Sequence, residues 1–162
     1  LREPRVLLLD EPTSGLDPVS RNQIISILSD LVAGGTTVLY TTHFMDELES
    51  CDEVIFVKKG VLVAGGEPEV LLKKMVGGGK IVELTLAKPS DAVVSSLKGL
   101  KSVAHVISEG RVLKVLMASP NLVSIARVVE DAGGVVEGIR ISRASMKEAF
   151  VYYSGVVSPP HE

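Results

Sequence analysis

Tryptophan is absent and aromatic residues make up only 4% of the 162-residue chain, so surfaces that stack on bases or sugars have little material. Cys51 is the single cysteine, which excludes an intrachain disulfide, makes a reducing compartment the default and reads as a packing residue. No apolar run approaches the 18 or so residues of a membrane span, and the chain is expected to be soluble. An initiator methionine and a charged-then-apolar leader are missing as well: the chain opens Leu1-Arg2-Glu3-Pro4 and reads as a fragment. Charge of one sign is not in excess. The net charge is −3, so no basic footprint points to nucleic acid.

Hydrophobic residues at 46% and a mean hydropathy of +0.33 are ample for a folded, aliphatic core. The charge balance divides unevenly: residues 1–79 carry seven Lys/Arg against twelve Asp/Glu, and residues 80–162 carry ten against eight. The sign changes at Gly77-Gly78-Gly79, whose backbone freedom marks a hinge or linker. Two domains are therefore expected, 1–79 and 80–162.

Val6-Leu7-Leu8-Leu9 suits a strand buried on both faces of a parallel sheet, with Asp10-Glu11 at its carboxyl end. Asp17-Pro18 starts a helix in which Ile24, Leu28, Leu31 and Val32 follow at helical spacing, until Gly34-Gly35 stops it. Residues 36–41 form a β-branched second strand that delivers His43 just past its end; a crossover of this length implies parallel neighbours. Residues 44–50 read as a short acidic helix, 52–57 and 61–64 as strands joined by a tight Lys59-Gly60 turn, and 67–75 as a helix. Beyond the glycine run the expected order is strand 80–87, helix 90–100, strands 103–108 and 111–117, a helix from a Ser119-Pro120 cap to 132, strand 135–142 and helix 146–153. This is the βαββαβ order of a ferredoxin-like motif with an added helix.

Two adjacent carboxylates at the end of a hydrophobic strand are costly unless water, a cation or a donor receives them. In phosphoryl transfer such a strand supplies an Asp to the Mg²⁺ shell and a neighbouring acid to position the attacking water. Taken alone, the strand end fits an ordinary exit into a loop equally well. Asp17 is at least a helix cap, and a lone His43 after a strand is commonly a solvated loop residue.

The wider context is more specific. Residues 7–18, LLLDEPTSGLDP, resemble position by position the Walker B motif and D-loop of ATP-binding cassette (ABC) ATPases. Thr41-Thr42-His43 is similar to that family's switch-histidine loop, and the continuation HFMDELESCDEVIFVKKGVLVAGGEPEVL also follows the family pattern. The resemblance implies that Asp10 helps hold Mg²⁺ through water, that Glu11 is the general base for the hydrolytic water, and that His43 contacts the γ-phosphate of ATP. Ser14, Gly15 and Asp17 would then form the loop that touches a second subunit. No Gly-x-x-x-x-Gly-Lys-Ser/Thr phosphate loop and no Leu-Ser-Gly-Gly-Gln-type signature occurs in the chain, and Leu1 to Pro4 fits the segment just after the signature helix. The implied fold is α/β: the C-terminal half of a P-loop NTPase parallel sheet, followed by a ferredoxin-like domain. Residues 80–154 resemble, less specifically, the accessory domain that follows many ABC-2-type export ATPases. Their ending RASMKEAF is similar to a Ser-Leu-Glu-Asp-x-Phe motif but departs from it at Met146, Lys147 and Ala149.

The function so implied is the ATP-hydrolysing, energy-coupling subunit of an ABC exporter, with a transmembrane permease and a second ATPase subunit in a head-to-tail dimer as partners. Its place would be the inner face of the cell membrane, and the 162 residues alone are expected to be inactive. The alternatives are a non-transport ABC ATPase, and a regulatory or dimerising role for 80–162. An RNA-recognition module shares the βαββαβ order but needs stacking aromatics, and the strand at 111–117 has none. In the family that the chain resembles, the phosphate-loop strand lies between the strands corresponding to 36–41 and 52–57, and its absence would leave residues 1–79 rearranged, poorly ordered or completed by pairing with another chain.

Overall fold

A run of four aliphatic residues, Val6–Leu9, forms strand β1, and the β-branched Thr37–Tyr40 forms β2. The two pair in parallel, from Val6 opposite Thr37 to Leu9 opposite Tyr40. Parallel neighbours require a crossover, and helix α1, Pro18–Ala33, provides it. The computed structural model that shows this describes residues 4–156; Leu1 to Glu3, read above as following a signature helix, lie outside the described residues. The chain divides into two compact units, Leu1–Ser50 and Cys51–Glu162.

In the first unit the expectation that β1 is buried on both faces fails. Val6, Leu8 and Leu39 are 57%, 69% and 58% exposed, whereas the alternate residues are half-buried. A two-stranded sheet with one packed helix has material for one covered face only. Leu28 is the one buried hydrophobic residue of α1. The short acidic helix is a single 3₁₀ turn, Glu47–Ser50.

The second unit begins with an antiparallel hairpin of β3, Val54–Lys58, and β4, Val61–Gly66. Lys59 and Gly60 both have positive φ, as a turn matched to strand twist requires. Helix α2, Pro68–Lys74, follows, then a 3₁₀ turn at Val76–Gly79. Strand β5 (Lys80–Leu86), helix α3 (Asp91–Lys98), strands β6 (Val103–Glu109) and β7 (Val112–Met117), helix α4 (Leu122–Asp131) and strand β8 (Val136–Arg143) complete the βαββαβ order. Their sheet runs β6-β7-β5-β8, antiparallel throughout, which is the ferredoxin-like arrangement. Val82, Leu84 and Leu86 of β5 and Leu113 and Val115 of β7 bury one face against Val93 and Leu97 of α3 and Ile125 and Val129 of α4. The cap of α4 is Asn121, whose side chain accepts from the Ser124 amide at 3.0 Å, not the expected Ser119-Pro120 pair.

Helix α5, Met146–Val156, starts with a capping box. The Glu148 carboxylate accepts from the Ser145 amide at 2.8 Å and hydroxyl at 2.6 Å. Farther along, Phe150 meets Phe56 of β3 edge-on at 5.5 Å, the Tyr153 hydroxyl donates to the Leu71 carbonyl, and Lys58 Nζ donates to the Ser154 carbonyl. These contacts bind the hairpin and α2 to α5; the compact unit begins at Cys51 and the 79/80 junction lies within it. The glycine run is no slack hinge. A Cβ on Gly77 would collide with the Met117 carbonyl oxygen, and one on Gly79 would lie 2.6 Å from that of Leu72.

Candidate functional site

The parallel register carries past the strand ends and sets Asp10 beside Thr41. The Thr41 hydroxyl donates to Asp10 Oδ1 at 2.5 Å and accepts from the Glu11 amide at 2.9 Å, while the Thr41 amide donates to the Leu9 carbonyl at 3.0 Å. Thr41 thus ties both acidic residues to β2. Glu11 has φ +44°, a left-handed conformation uncommon for a residue with a Cβ. Its pinned amide and the tight turn that follows, in which the Ser14 amide donates to the Glu11 carbonyl at 3.0 Å, hold that backbone.

From this position a Glu11 carboxylate oxygen lies 3.4 Å from His43 Nδ1, and both side chains are about half exposed. The loop after β2 is anchored beneath His43. The His43 ring lies against Phe44 at 4.2 Å between centroids, and the Arg21 guanidinium sits 3.4 Å above the Phe44 ring, a cation–π contact. Arg21 also approaches Asp46 at 3.7 Å and the buried Glu47 at 3.8 Å. Asp10, Glu11 and His43 are therefore gathered at one end of the β1–β2 pair, accessible from solvent.

Ser14, Gly15 and Asp17 lie on the connecting loop, exposed, and Ser14 reaches the acidic pair only through its amide. Gly15 has φ +74°. Asp17 caps α1, accepting from the Val19 and Ser20 amides and from the Ser20 hydroxyl. The Ser20 hydroxyl bond, with the backbone bonds behind it, holds the Asp17 carboxyl below the usual carboxylate range. Buried Thr13, between the two groups, has a hydroxyl without a hydrogen-bond partner among the described residues.

Among the described residues no group of three or more His, Cys, Asp or Glu side chains is placed to hold a metal ion. Asp10 offers a single carboxylate, with one oxygen taken by Thr41. That donor set fits a hydrated Mg²⁺ whose remaining ligands come from phosphate oxygens and water, and does not fit an all-protein metal centre. Sequence reading named Thr41 only within the Thr41-Thr42-His43 stretch, without a role of its own, and did not name Arg21. The signal for Thr41 was a hydroxyl one residue past the strand pair, opposite Asp10; Arg21, a charge in the first turn of α1, gave none.

No protein-family model matches the chain. Curated proteins do. The chain is 34% identical over 159 residues to the daunorubicin resistance ATP-binding protein DrrA2 of Streptomyces coeruleorubidus, a match covering 94% of the chain and 48% of that protein. It is 37% identical over 107 residues to the linearmycin resistance ATP-binding protein LnrL of Bacillus subtilis, covering 65% and 33%. It is 48% identical over 71 residues to the probable multidrug ABC transporter ATP-binding protein YbhF of Escherichia coli, covering 44% and 12%. The chain is a homologue of ABC transporter ATP-binding proteins. It spans about half the length of the DrrA2 relative and a third of LnrL. The DrrA2 match extends across the ferredoxin-like domain, so the homology is not confined to the acidic pair and its surroundings. No helix among the described residues is long and apolar enough to cross a membrane.

Proposed function

We propose that the chain is the later part of an ATP-hydrolysing, energy-coupling subunit of an ABC exporter. The observation that carries this reading is the convergence of Asp10, Glu11 and His43 at the carboxyl ends of two parallel strands, with Glu11 and His43 3.4 Å apart. The names of the relatives, ATP-binding proteins of drug-resistance and export systems, support it. When bound, Mg²⁺ and the phosphates of ATP supply the reacting centre and the charge to be neutralised. Asp10 would hold the cation through water, and Glu11 would orient the attacking water and take its proton. His43, steadied by Phe44 and Arg21, would stabilise charge on the terminal phosphate. Residues 1–79 form the catalytic portion and 80–162 the accessory domain, whatever the packing division.

The loop of Ser14, Gly15 and Asp17 would face a second ATPase subunit in a head-to-tail dimer, beneath a permease that fixes the subunit to the inner face of the membrane. Nucleic acid is not among the partners. The test uses a longer protein that joins this chain to a phosphate loop and signature segment, as the proposed function requires. There Glu11→Gln should lower steady-state ATP hydrolysis by roughly 10² to 10⁴-fold or more while nucleotide binding persists, because an amide is a poor acceptor for the water proton. His43→Ala should also cripple turnover. Undiminished hydrolysis in the Glu11→Gln protein would remove Glu11 from the mechanism. The 162 residues alone should show no ATPase activity and at most weak ATP binding, checked by isothermal titration.

A further inference from the structure

The glycine run and strand β8 border an open cleft of about 440 Å³ that the proposed ATPase chemistry does not use. Its walls carry Lys73 from α2, Lys80 from the start of β5 and Arg143 from the end of β8, with Glu69 the one acid among the described residues that line it. Lys80 and Arg143 are direct cross-strand partners, so two like charges face each other on one side of the sheet, an arrangement that destabilises unless an anion answers it. Glu69 answers half of it by pairing with Arg143 at 2.5 Å. Lys73 and Lys80 are exposed, and among the described residues neither makes an ion pair or a hydrogen bond through its side chain. Two positive charges are left over. Gly78 and Gly79 add wall without side chains, where a ligand can approach the backbone closely, and Ile141, 47% exposed, adds an apolar patch.

From this arrangement we propose that the cleft binds a phosphomonoester. Its charge of −1.5 to −2 near neutral pH matches the two uncompensated cations, and the cleft exceeds the size of bare phosphate, leaving room for a compact body against Ile141 and the glycines. The pairing of Arg143 with a carboxylate shows that the guanidinium is placed to receive an anion. Glu69 acts as the internal competitor that a stronger anion displaces. The site is independent of the ATPase reading and stands or falls without it. The phosphomonoester comes either from a free phosphorylated small molecule or from a phosphatidic acid headgroup.

The 162-residue chain, labelled with ¹⁵N, is titrated with phenyl phosphate, with inorganic phosphate and, at matched ionic strength, with chloride; separately, it is mixed with vesicles of phosphatidylcholine with and without phosphatidic acid. Saturable shifts confined to the amides of Gly78, Gly79, Lys80 and residues 141–143, absent with chloride, are expected with phenyl phosphate, and more weakly with inorganic phosphate, if the source is free. Vesicle binding that needs phosphatidic acid identifies the lipid source. In either case the double variant Lys73→Gln, Lys80→Gln should weaken binding at least tenfold, and Glu69→Gln should tighten it several-fold. Shifts that do not saturate, that chloride reproduces or that neither variant alters would overturn the proposal, as would no response to any of the probes. The Glu69→Gln arm keeps the test decisive should the double variant fold poorly.

Discussion

In β1 and β2, Leu8 and Leu39 face each other across the pair and are 69% and 58% exposed; in β5 and β7, Leu84 and Leu113 face each other and are 0% and 1% exposed. The residues are chemically the same, although the first pair is parallel and the second antiparallel. The difference lies in closure. Four strands with α3 and α4 on one face can bury a row of leucines completely, whereas two strands and one helix leave a face open, an arrangement that is marginal without further packing. Stability and the proposed chemistry are thereby separated: the second unit carries the core, and the first carries an acid pair and a histidine open to solvent at the end of a thinly packed sheet.

The largest expected effect tests that separation directly. Leu84→Ala should destabilise the second unit by about 2–5 kcal/mol, since it removes contacts on every side and leaves a cavity. Leu8→Ala should change the stability of the first unit by no more than about 0.5 kcal/mol. Amide hydrogen exchange resolved by residue reads both units in one sample. Equal losses would break the comparison and mean that the open face of β1 is covered in solution.

Next in size are the glycines. Gly79→Ala combines a φ of +76° with a Cβ 2.6 Å from the Leu72 carbonyl oxygen, whereas a Cβ on Gly78, at φ +66°, meets nothing within 4 Å. Gly79→Ala should therefore cost about 2 kcal/mol or more and Gly78→Ala about 1 kcal/mol, measured by urea unfolding. A Gly79→Ala protein as stable as the Gly78→Ala protein would restore the flexible-hinge reading of this run.

That hinge reading shows where sequence stopped being legible. Strand β1, helix α1, strand β2 and the entire βαββαβ order follow from local patterning, because apolar periodicity, caps and turn residues are short-range signals. The acid pair and His43 stood out through the resemblance of their stretches to the Walker B and switch-histidine motifs; local patterning placed them only at the ends of two parallel strands. The role of Gly77 and Gly79 was not legible, since close approach to the carbonyls of Met117 and Leu72 depends on tertiary packing, and free and crowded glycines look alike in a sequence. The hairpin's attachment to α5 was hidden likewise. Phe56, Phe150 and Tyr153 are distant in the chain, and nothing local to any of them names its partner.

A smaller effect sharpens the comparison from the side of the first unit. Thr41→Val keeps the shape of the side chain but removes the donor to Asp10 and the acceptor for the Glu11 amide. The site is exposed and water can replace both bonds in part, so a loss of about 1 kcal/mol is expected. Exchange of the Glu11 amide should quicken while the amides of β5 and β7 are unchanged. Slowed exchange, or no change, at Glu11 would show that the turn, and not Thr41, holds its left-handed backbone.

The smallest expected effect is a difference in acid sensitivity. In the second unit, burial pushes the Glu148 carboxyl up, but the Lys114 ammonium and the Ser145 hydroxyl and amide outweigh it and hold it below its ordinary 4.5. Bonds from Lys147 and then Lys114 lower Glu109, and bonds from Ser142 and Arg140 lower Glu83. A carboxyl whose folded value is depressed contributes stability that is fully present above its unfolded value and is lost as pH falls through the folded one. Lowering the pH from 6 to 3 should thus lower the Tm of the second unit by a few degrees through this network, and in the first unit Asp17 acts in the same sense. On the alkaline side Lys114, raised chiefly by its bond to Glu148, contributes stability below its ordinary 10.5 that persists until pH passes the raised value. Lys114→Met isolates the cause. Without the ammonium, burial acts on Glu148 with less opposition, so its carboxyl should rise and the acid-induced drop in Tm should shrink. A variant with an undiminished acid drop would move the effect away from the Lys114–Glu148 pair and onto Glu109, held chiefly by Lys147, and Glu83, held by Ser142 and Arg140.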